Sequence, residues 1–325
     1  MITAIQKLVW VFVCVAAIAI PSVSAAHNQS VVRYFVQDGQ VQVDVEGVET
    51  SADSLFAIAS IGKTFTAVAV LTLASSGKLN VDDFASNWLP NEVVVGLGGM
   101  QGVTIQHLLT MSSGLPDYYT DDYLYDALDN PDQVQNPETA LSYAFDEAPL
   151  FDPGEDFDYS NTNYVLLGLI IEQATGETYA SALDRLVFQA AKMTNSFVFG
   201  SQKIPPTFVD GHEDGQHVRD YYAGQGFGDG GVISNAPDLA RFYQALFENR
   251  SLLPKHMLDK MLHDPIGAGY GMGIEVTGGI YGHSGGDLGF ASDVRFDSAS
   301  NAIAIVLIAN GDAETDWAEN RLETP

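Results

Sequence analysis

Over residues 31–48 apolar and polar side chains largely alternate, and the alternation breaks at Asp38-Gly39. A period of two is the mark of a half-buried strand, and Asp-Gly between two such runs is a strong hairpin signal. The chain therefore opens its folded part with a β-hairpin, and Leu55-Phe56-Ala57-Ile58 follows as a short buried strand. Residues 63–75 are rich in Ala, Val and Leu and too long for a strand. Gly77 stands where a helix C-cap is expected. From about 81 to 248 the pattern is mostly helical with long loops, clearest at 104–111, 138–145, 161–174, 179–190 and 237–248. Strand-like patterns return at 270–276, 279–281, 289–296 and 302–309, and 312–322 is expected to close the chain as a helix.

Strands at both ends with helices between them predict an α/β (α+β) domain over residues 26–325. One sheet is assembled from both termini and flanked by helices, and a mainly helical lobe, about 81–248, is inserted. Clefts between lobes favour ligands. The site is expected where the first long helix, the lobe and a C-terminal strand meet.

The first 25 residues stand apart. Lys7 is their only charged side chain, and residues 8–20 are an unbroken apolar run, shorter than the roughly 20 residues of a membrane-spanning helix. Pro21 ends the run and Val23-Ser24-Ala25 supplies small residues for cleavage. This is the layout of a secretory signal, and the expected location is periplasmic or secreted. The single cysteine, Cys14, lies inside it, so the mature chain has no disulfide, thiolate metal site or cysteine nucleophile. The 325 residues carry 14 Lys+Arg against 42 Asp+Glu, a formal net charge of −28. That balance excludes nucleic acid and anionic membrane surfaces, which need a basic footprint. With 46% hydrophobic residues, the chain is no disordered acidic tail.

Three short motifs carry chemistry. In Ser60-Ile61-Gly62-Lys63, three residues are one helical turn, so the Lys63 amine sits beside the Ser60 hydroxyl. Serine is a weak nucleophile that needs a neighbouring base, and a desolvated lysine serves. Ser75 to Lys78 matches the same pattern but falls at the far end of the helix. In Tyr159-Ser160-Asn161, a tyrosine near a cation acts as proton relay, and the asparagine offers a donor and an acceptor to a substrate amide. Taken alone, this is also an ordinary loop-to-helix junction with an Asn cap. In His283-Ser284-Gly285-Gly286, the glycines let the backbone approach a ligand and the Gly286 N–H can polarise a carbonyl. Alone, it is also a Gly-rich strand end or turn.

Rival readings are weaker. Gly282-His283-Ser284-Gly285-Gly286 matches the G-x-S-x-G elbow of α/β-hydrolases, which place a histidine after the serine; none follows His283. Gly62-Lys63-Thr64 resembles the end of a phosphate-binding loop, yet Ala57 occupies the position of its first glycine. His212, Glu213, Asp214 and His217 match no tight zinc spacing and read as a polar loop. Asp121-Asp122 and residues 152–158 lack calcium-loop spacing and read as solvated acidic loops. Neither metal nor organic cofactor is called for.

In this order and setting the motifs resemble the serine β-lactamase and penicillin-binding-protein-like family: class C β-lactamases, D-alanyl-D-alanine carboxypeptidases, D-aminopeptidases and related esterases. The likeness runs from about Ser54 to Ala309. It takes in the segments 56–66 and His107-Leu108-Leu109-Thr110-Met111-Ser112-Ser113-Gly114-Leu115-Pro116, then Tyr159-Ser160-Asn161, Gly228-Asp229-Gly230-Gly231-Val232-Ile233-Ser234 and residues 282–286. The resemblance implies a β-lactamase/transpeptidase-like fold with an antiparallel sheet, and acyl transfer through a Ser60 acyl-enzyme. Lys63 and Tyr159 would share the proton, and the N–H groups of Ser60 and Gly286 would form the oxyanion hole. Asn161 would hold the substrate amide. His283 would support Tyr159 by hydrogen bonding and charge, and Ser284 would bind a substrate carboxylate or tune the strand. The expected substrate is a D-alanyl-D-alanine-type cell-wall peptide, with a β-lactam or a small ester as alternatives. A non-catalytic peptidoglycan-binding module is the alternative of another class, and the presence of Ser60, Lys63 and Tyr159 speaks against it.

Relatives that cleave terminal D-alanine hold its carboxylate with a cation near the third motif. Here no Lys or Arg occurs between Met261 and Val294, so Arg295, Arg219 or Lys203 would have to serve.

Overall fold

Asp38 and Gly39 both adopt positive φ, 49° and 73°, as a two-residue type I′ turn requires. They join β1 (Val31–Gln37) to β2 (Gln40–Glu46) in the expected hairpin. The computed structural model describes residues 29–98, 100–129, 136–213, 216–218 and 226–323; the expected signal segment lies outside the described residues. The remaining strands are β3 (Phe56–Ala57), β4 (Phe197–Val198), β5 (His212–Glu213), β6 (Gln216–His217) and β7 (Val232–Ser234), then β8 (Glu275–Thr277), β9 (Ile280–Asp287), β10 (Phe290–Asp297) and β11 (Ile303–Ile308). The main sheet runs β2-β1-β11-β10-β9-β8 with every neighbour antiparallel. It is built from both termini, as the hydropathy pattern anticipates.

β11 shows why this sheet sits at the centre. All six of its residues are buried, and alternate side chains serve different layers. Ile303, Ile305 and Leu307 join the large core, while Ala304, Val306 and Ile308 pack in a smaller core with Ala318. A strand covered on both faces must be apolar at every position.

The first long helix is α1 (Gly62–Ser75). Its residues 62–71 are all buried, so it is a central helix rather than an amphipathic surface one. Each fully buried Val, Leu or Phe contributes about 1.5–3 kcal/mol. Lys78 N–H bonds Leu73 O at 3.0 Å across Gly77 at φ 71°, the Schellman closure expected of a C′ glycine. The helix α2 (Asn91–Gly96) follows. The helices expected at 104–111, 138–145, 161–174, 179–190 and 237–248 are present. They are α3 (Ile105–Leu109), α5 (Pro137–Leu141), α6 (Thr162–Thr175), α7 (Tyr179–Leu183) with α8 (Gln189–Ala191), and α9 (Ala236–Tyr243). Several are shorter than expected and continue as 3₁₀ or π turns. The acidic segment at 121–122, read as a loop, opens α4 (Asp121–Asp129). α10 (Lys255–Met261) precedes the final strands, and α11 (Trp317–Glu323) covers the second face of the sheet. No helix among the described residues is long and apolar enough to cross a membrane.

Three differences from the hydropathy reading shape the site. β7, inside the mainly helical stretch, pairs with β3 and β4 in a second, three-stranded sheet, which ties that stretch to the chain just ahead of α1. The strand expected at 270–276 shrinks to β8, because residues 270–275 fold back on themselves: Tyr270 bridges Glu275, Gly271 N–H bonds Ile274 O at 2.8 Å and Val276 N–H bonds Gly269 O at 2.7 Å. Just ahead of this turn the Asp264 carboxylate accepts the N–H groups of Ile266, Gly267, Ala268 and Gly269. Finally, β9 extends through residue 287, so the His283 motif lies within a strand rather than at its end or in a turn.

Candidate active site

β3 enters α1 through a single 3₁₀ turn, Ala59–Ile61. Ala59 holds φ 47°, a left-handed conformation that costs an L-residue about 1–2 kcal/mol. Ser60 follows directly, and one turn later Lys63 Nζ lies 3.0 Å from Ser60 Oγ.

Lys63 is only 1% exposed, so each of its N–H groups needs a partner. Besides Ser60, they are Asn161 Oδ1 at 2.7 Å and the Asp229 carbonyl at 2.7 Å. A lysine ammonium has three protons, and three acceptors surround it. Neutral, it keeps two N–H groups for Asn161 and Asp229 and turns its lone pair to the Ser60 hydroxyl. The same cage therefore fits both protonation states that a proton carrier passes through.

Asn161 occupies the N-cap position of α6, yet its side chain makes no capping bond. Its amide donates to Asp117 Oδ2 at 2.9 Å, and its backbone N–H to Asp117 Oδ1 at 3.0 Å. Asp117 thereby fixes which end of the Asn161 amide faces Lys63, and the plain N-cap interpretation of Asn161 is set aside. Burial raises the Asp117 pKa, against hydrogen bonds from Tyr119 and Asn161 and the Lys63 charge. Burial likewise raises that of Asp229, opposed by Lys63 and by the Tyr118 hydroxyl, which donates to its carboxylate at 2.7 Å. Sequence reasoning missed Asp117, Asp229 and Tyr118. Two of them stand in or beside the stretches that carry the resemblance, but nothing local separates them from solvated loop acids.

Tyr159 is 37% exposed, and its ring centroid lies 5.0 Å from Lys63 Nζ. The expected support from His283 is corrected by the geometry. His283 Nδ1 meets the Ser284 carbonyl at 2.5 Å and Nε2 meets Tyr270 Oη at 3.0 Å. A carbonyl only accepts, so Nδ1 carries the proton and Nε2 accepts from the Tyr270 hydroxyl. The His283 and Tyr159 rings are 6.2 Å apart, and Tyr270 packs edge-on to both. His283 is 1% exposed, and burial lowers its pKa to about 4. It is a neutral residue behind the cleft, and its contact with Tyr159 is through Tyr270, not a hydrogen bond. As a substrate-binding group it is likewise displaced, because it is buried and both of its ring nitrogens are already bonded within the protein. Tyr270 is a further residue that sequence reasoning passed over.

Gly285 explains how β9 reaches the nucleophile. A Cβ there would stand 2.6 Å from Ile58 O and 3.1 Å from Ser60 N, so only glycine lets the strand lie against the turn carrying Ser60. At Gly286 a Cβ would meet nothing within 4 Å, which marks the open side of the strand. Ser284 donates both its N–H and its hydroxyl to Glu275 Oε1, at 3.0 and 2.9 Å. Glu275 Oε2 accepts from Arg295 Nη1 at 2.5 Å, and Arg295 Nε lies 2.9 Å from Asp293 Oδ1. Burial works against ionisation of Glu275, yet His283, Arg295 and the Ser284 N–H together hold its pKa below the usual carboxylate range. Arg295, one of three candidate holders of a substrate carboxylate, is thus enclosed by two acids of its own chain. Lys203 is exposed, and Arg219 lies outside the described residues.

The rival motifs find other places. Ser284 is within β9 and not on a strand-to-helix elbow. His212 and His217 face each other across the β5–β6 hairpin, where His217 Nδ1 meets Asp210 at 2.7 Å and Glu213 accepts the Gly289 N–H. Asp214 lies outside the described residues, among which no cluster of three or more His, Cys, Asp or Glu is arranged for a metal ion.

Comparison with known proteins agrees with this geometry. The Beta-lactamase family model matches residues 15–323. Penicillin-binding protein 4* of Bacillus subtilis (strain 168) is 29% identical over 296 residues, 82% of this chain and 63% of that protein, so the chain spans less than two thirds of this relative's length. Among solved structures, a D-stereospecific amidohydrolase from Streptomyces sp. superposes with TM-score 0.78 at 25% identity, covering 91% of this chain and 93% of the other. A penicillin binding protein from Bacillus halodurans gives TM-score 0.78 at 27% identity over 90% and 94%. A family match over nearly the whole chain, joined to a buried lysine one turn after a serine on the same fold, leaves one assignment: the chain belongs to the beta-lactamase family of serine hydrolases.

Proposed function

We propose that the protein is a serine hydrolase that cleaves amide bonds of D-amino-acid-containing substrates through an acyl-enzyme on Ser60. The observation that carries this reading is the cage around Lys63, where two fixed acceptors, Asn161 Oδ1 and Asp229 O, direct the third valence of the amine at Ser60 Oγ. In the first step Ser60 Oγ attacks the carbonyl carbon as its proton passes to neutral Lys63. The oxyanion forms against the N–H groups of Ser60 and Gly286. Collapse breaks the C–N bond, and the departing amine takes the proton from Lys63, with Tyr159 as relay. Water then attacks the acyl-enzyme by the reverse proton path, which releases the acid and restores the Ser60 hydroxyl.

Preference for D-configured amides draws on the likeness to the D-stereospecific amidohydrolase from Streptomyces. The carboxypeptidase form of the reading needs a cation for the terminal carboxylate. The enclosure of Arg295 by Glu275 and Asp293 favours an amidase or esterase instead. Export as a periplasmic or secreted protein rests on the N-terminal signal pattern; N-terminal sequencing of the mature protein tests it.

The test of the mechanism is intact-protein mass spectrometry after p-nitrophenyl acetate and, separately, a fluorescent penicillin, with ester turnover followed in parallel. An acyl adduct on Ser60, and at least a thousandfold loss of turnover in a folded Ser60→Ala variant, are expected. Undiminished turnover in that variant would remove Ser60 as nucleophile. No adduct and no turnover with either reagent would favour a non-catalytic binding module.

A further inference from the structure

A hydroxyl has one proton to give, and Ser284 gives its proton to Glu275. Ser284 Oγ lies 2.9 Å from Glu275 Oε1, which also accepts the Ser284 N–H at 3.0 Å. An ionised carboxylate holds no proton, so both bonds run from serine to glutamate. The other oxygen, Oε2, is taken by Arg295 at 2.5 Å. Asp293 holds the far edge of that guanidinium, whose side chain is 15% exposed. The ladder explains the reach: Glu275 pairs with Gly282 as the first residue of the edge strand β8, so its side chain extends along β9 to residue 284. His283 directs its two ring nitrogens to Tyr270 and to the Ser284 carbonyl. Beyond the glycine pair, Asp287 accepts the Tyr119 hydroxyl at 2.7 Å and adds a second carboxylate to this end of the strand. What Ser284 presents outward is therefore lone pairs, with an acid behind it and the nearby cation already matched.

We propose that Glu275 orients Ser284 as a hydrogen-bond acceptor, so that the site takes substrates whose leaving group carries a carboxamide in preference to one carrying a free carboxylate. The proposal rests on the acyl-enzyme reading of Ser60. A carboxamide N–H beside Ser284 finds an acceptor, whereas a carboxylate there meets lone pairs and the Glu275 charge without a donor. Bond changes are those of the acyl-enzyme cycle: the scissile C–N bond breaks, an amino-acid amide leaves with the proton, and water releases the acyl group. Glu275 is a positioning residue that acts through Ser284.

The experiment compares kcat and KM for an N-acylated D-Ala-D-Ala peptide with its C-terminal amide, using wild type, Glu275→Gln and Ser284→Ala. Wild type is expected to favour the amide at least tenfold in kcat/KM. In Glu275→Gln a single amide oxygen cannot serve both Arg295 and the two Ser284 donors, so the fixed acceptor orientation of Ser284 is lost together with the negative charge behind it. The amide-to-carboxylate ratio then falls at least tenfold, mainly through KM. Ser284→Ala removes the acceptor and lowers the ratio without any charge change, which keeps the proposal testable should Glu275→Gln fail to fold. A wild-type preference for the carboxylate overturns the proposal, as do variants that lower both peptides alike and leave the ratio intact. Wild type inert to both peptides but active on p-nitrophenyl acetate through Ser60 overturns this proposal and spares the acyl-enzyme. Wild type inert to all three overturns both.

Discussion

Asn161 meets Lys63 through one atom, and Asp117 decides which atom that is. With a carboxylate at 117 the Asn161 NH2 must face it, which leaves Oδ1 for the lysine. Asp117→Asn removes that compulsion, and a misplacement of about 1 Å in a catalytic group costs on the order of a hundredfold in rate. Steady-state kinetics on p-nitrophenyl acetate should show kcat reduced about ten- to a hundredfold with KM little changed; an unaltered kcat would take Asp117 out of the positioning role. The neutral His283 makes a second prediction. Its folded pKa of about 4 lies below the ordinary 6.5, so the unfolded chain binds the proton more readily and stability is lost as pH falls from 6.5 towards 4. Asp293 acts the opposite way: burial lifts it to about 7 against the pull of Arg295, so it loses stability as pH rises from about 4 to 7. The two slopes oppose each other in one window. Thermal melts of Asp293→Asn should therefore fall more steeply between pH 6.5 and 4 than wild type, and His283→Gln less steeply. Parallel curves for all three proteins would refute the assignment.

The element that matters most to the site is β9, because its distance from the 59–61 turn sets the gap in which a carbonyl must fit. Gly285 permits that contact, and a methyl group there would overlap Ile58 O and the Ser292 hydroxyl, each 2.6 Å away. Gly285→Ala should cost about 1–3 kcal/mol of stability and nearly all activity, whereas Gly286→Ala, with open space around its Cβ, should melt close to wild type. Equal melting temperatures for the two variants, read by calorimetry, would contradict the close packing. The helices α1 and α6 were legible from hydropathy because they are long and buried on all sides. The short β8 was not: residues 270–275 fold back on themselves, with Gly271 N–H on Ile274 O and Val276 N–H on Gly269 O, which spends the backbone groups that a longer strand would use.

Across the whole molecule, 42 acidic side chains face 14 lysines and arginines. Part of the basic complement is already held in local ion pairs, such as Arg33 with Asp44 and Glu46, Arg185 with Glu177, and Lys255 with Asp259. Exposed pairs of this kind contribute about 0–1 kcal/mol each, so the unbalanced acids dominate the response to salt. Raising NaCl from about 0.02 to 0.5 M shortens the Debye length from roughly 20 Å to a few Å and relieves that repulsion. The melting temperature should rise over this range, and a fall would mean that ion pairs outweigh the net charge. The same charge disfavours anionic substrates approaching from a distance, in keeping with a site whose third motif faces its own carboxylates.

What the sequence alone determined is what contiguous residues decide. The Asp-Gly hairpin, the buried helix after Ser60 and the one-turn spacing of Ser60 and Lys63 follow from local spacing and hydropathy, and the membership of Tyr159, Asn161 and the residue 283–286 motif in one ordered set follows from the family resemblance. Tertiary structure decided the partners. Lys63 is bonded to groups 98 and 166 positions away, and Asp117, Tyr118, Tyr270 and Glu275 gain their roles only because packing brings them to that lysine, that histidine and that serine. Arg295 was visible in the sequence as a cation, but its two acid partners, and hence its removal from the substrate's reach, are set by the register of β8, β9 and β10. A side chain's type is written in the chain, but whether its proton or lone pair faces a neighbour or the cleft is a property of the folded backbone that holds both partners.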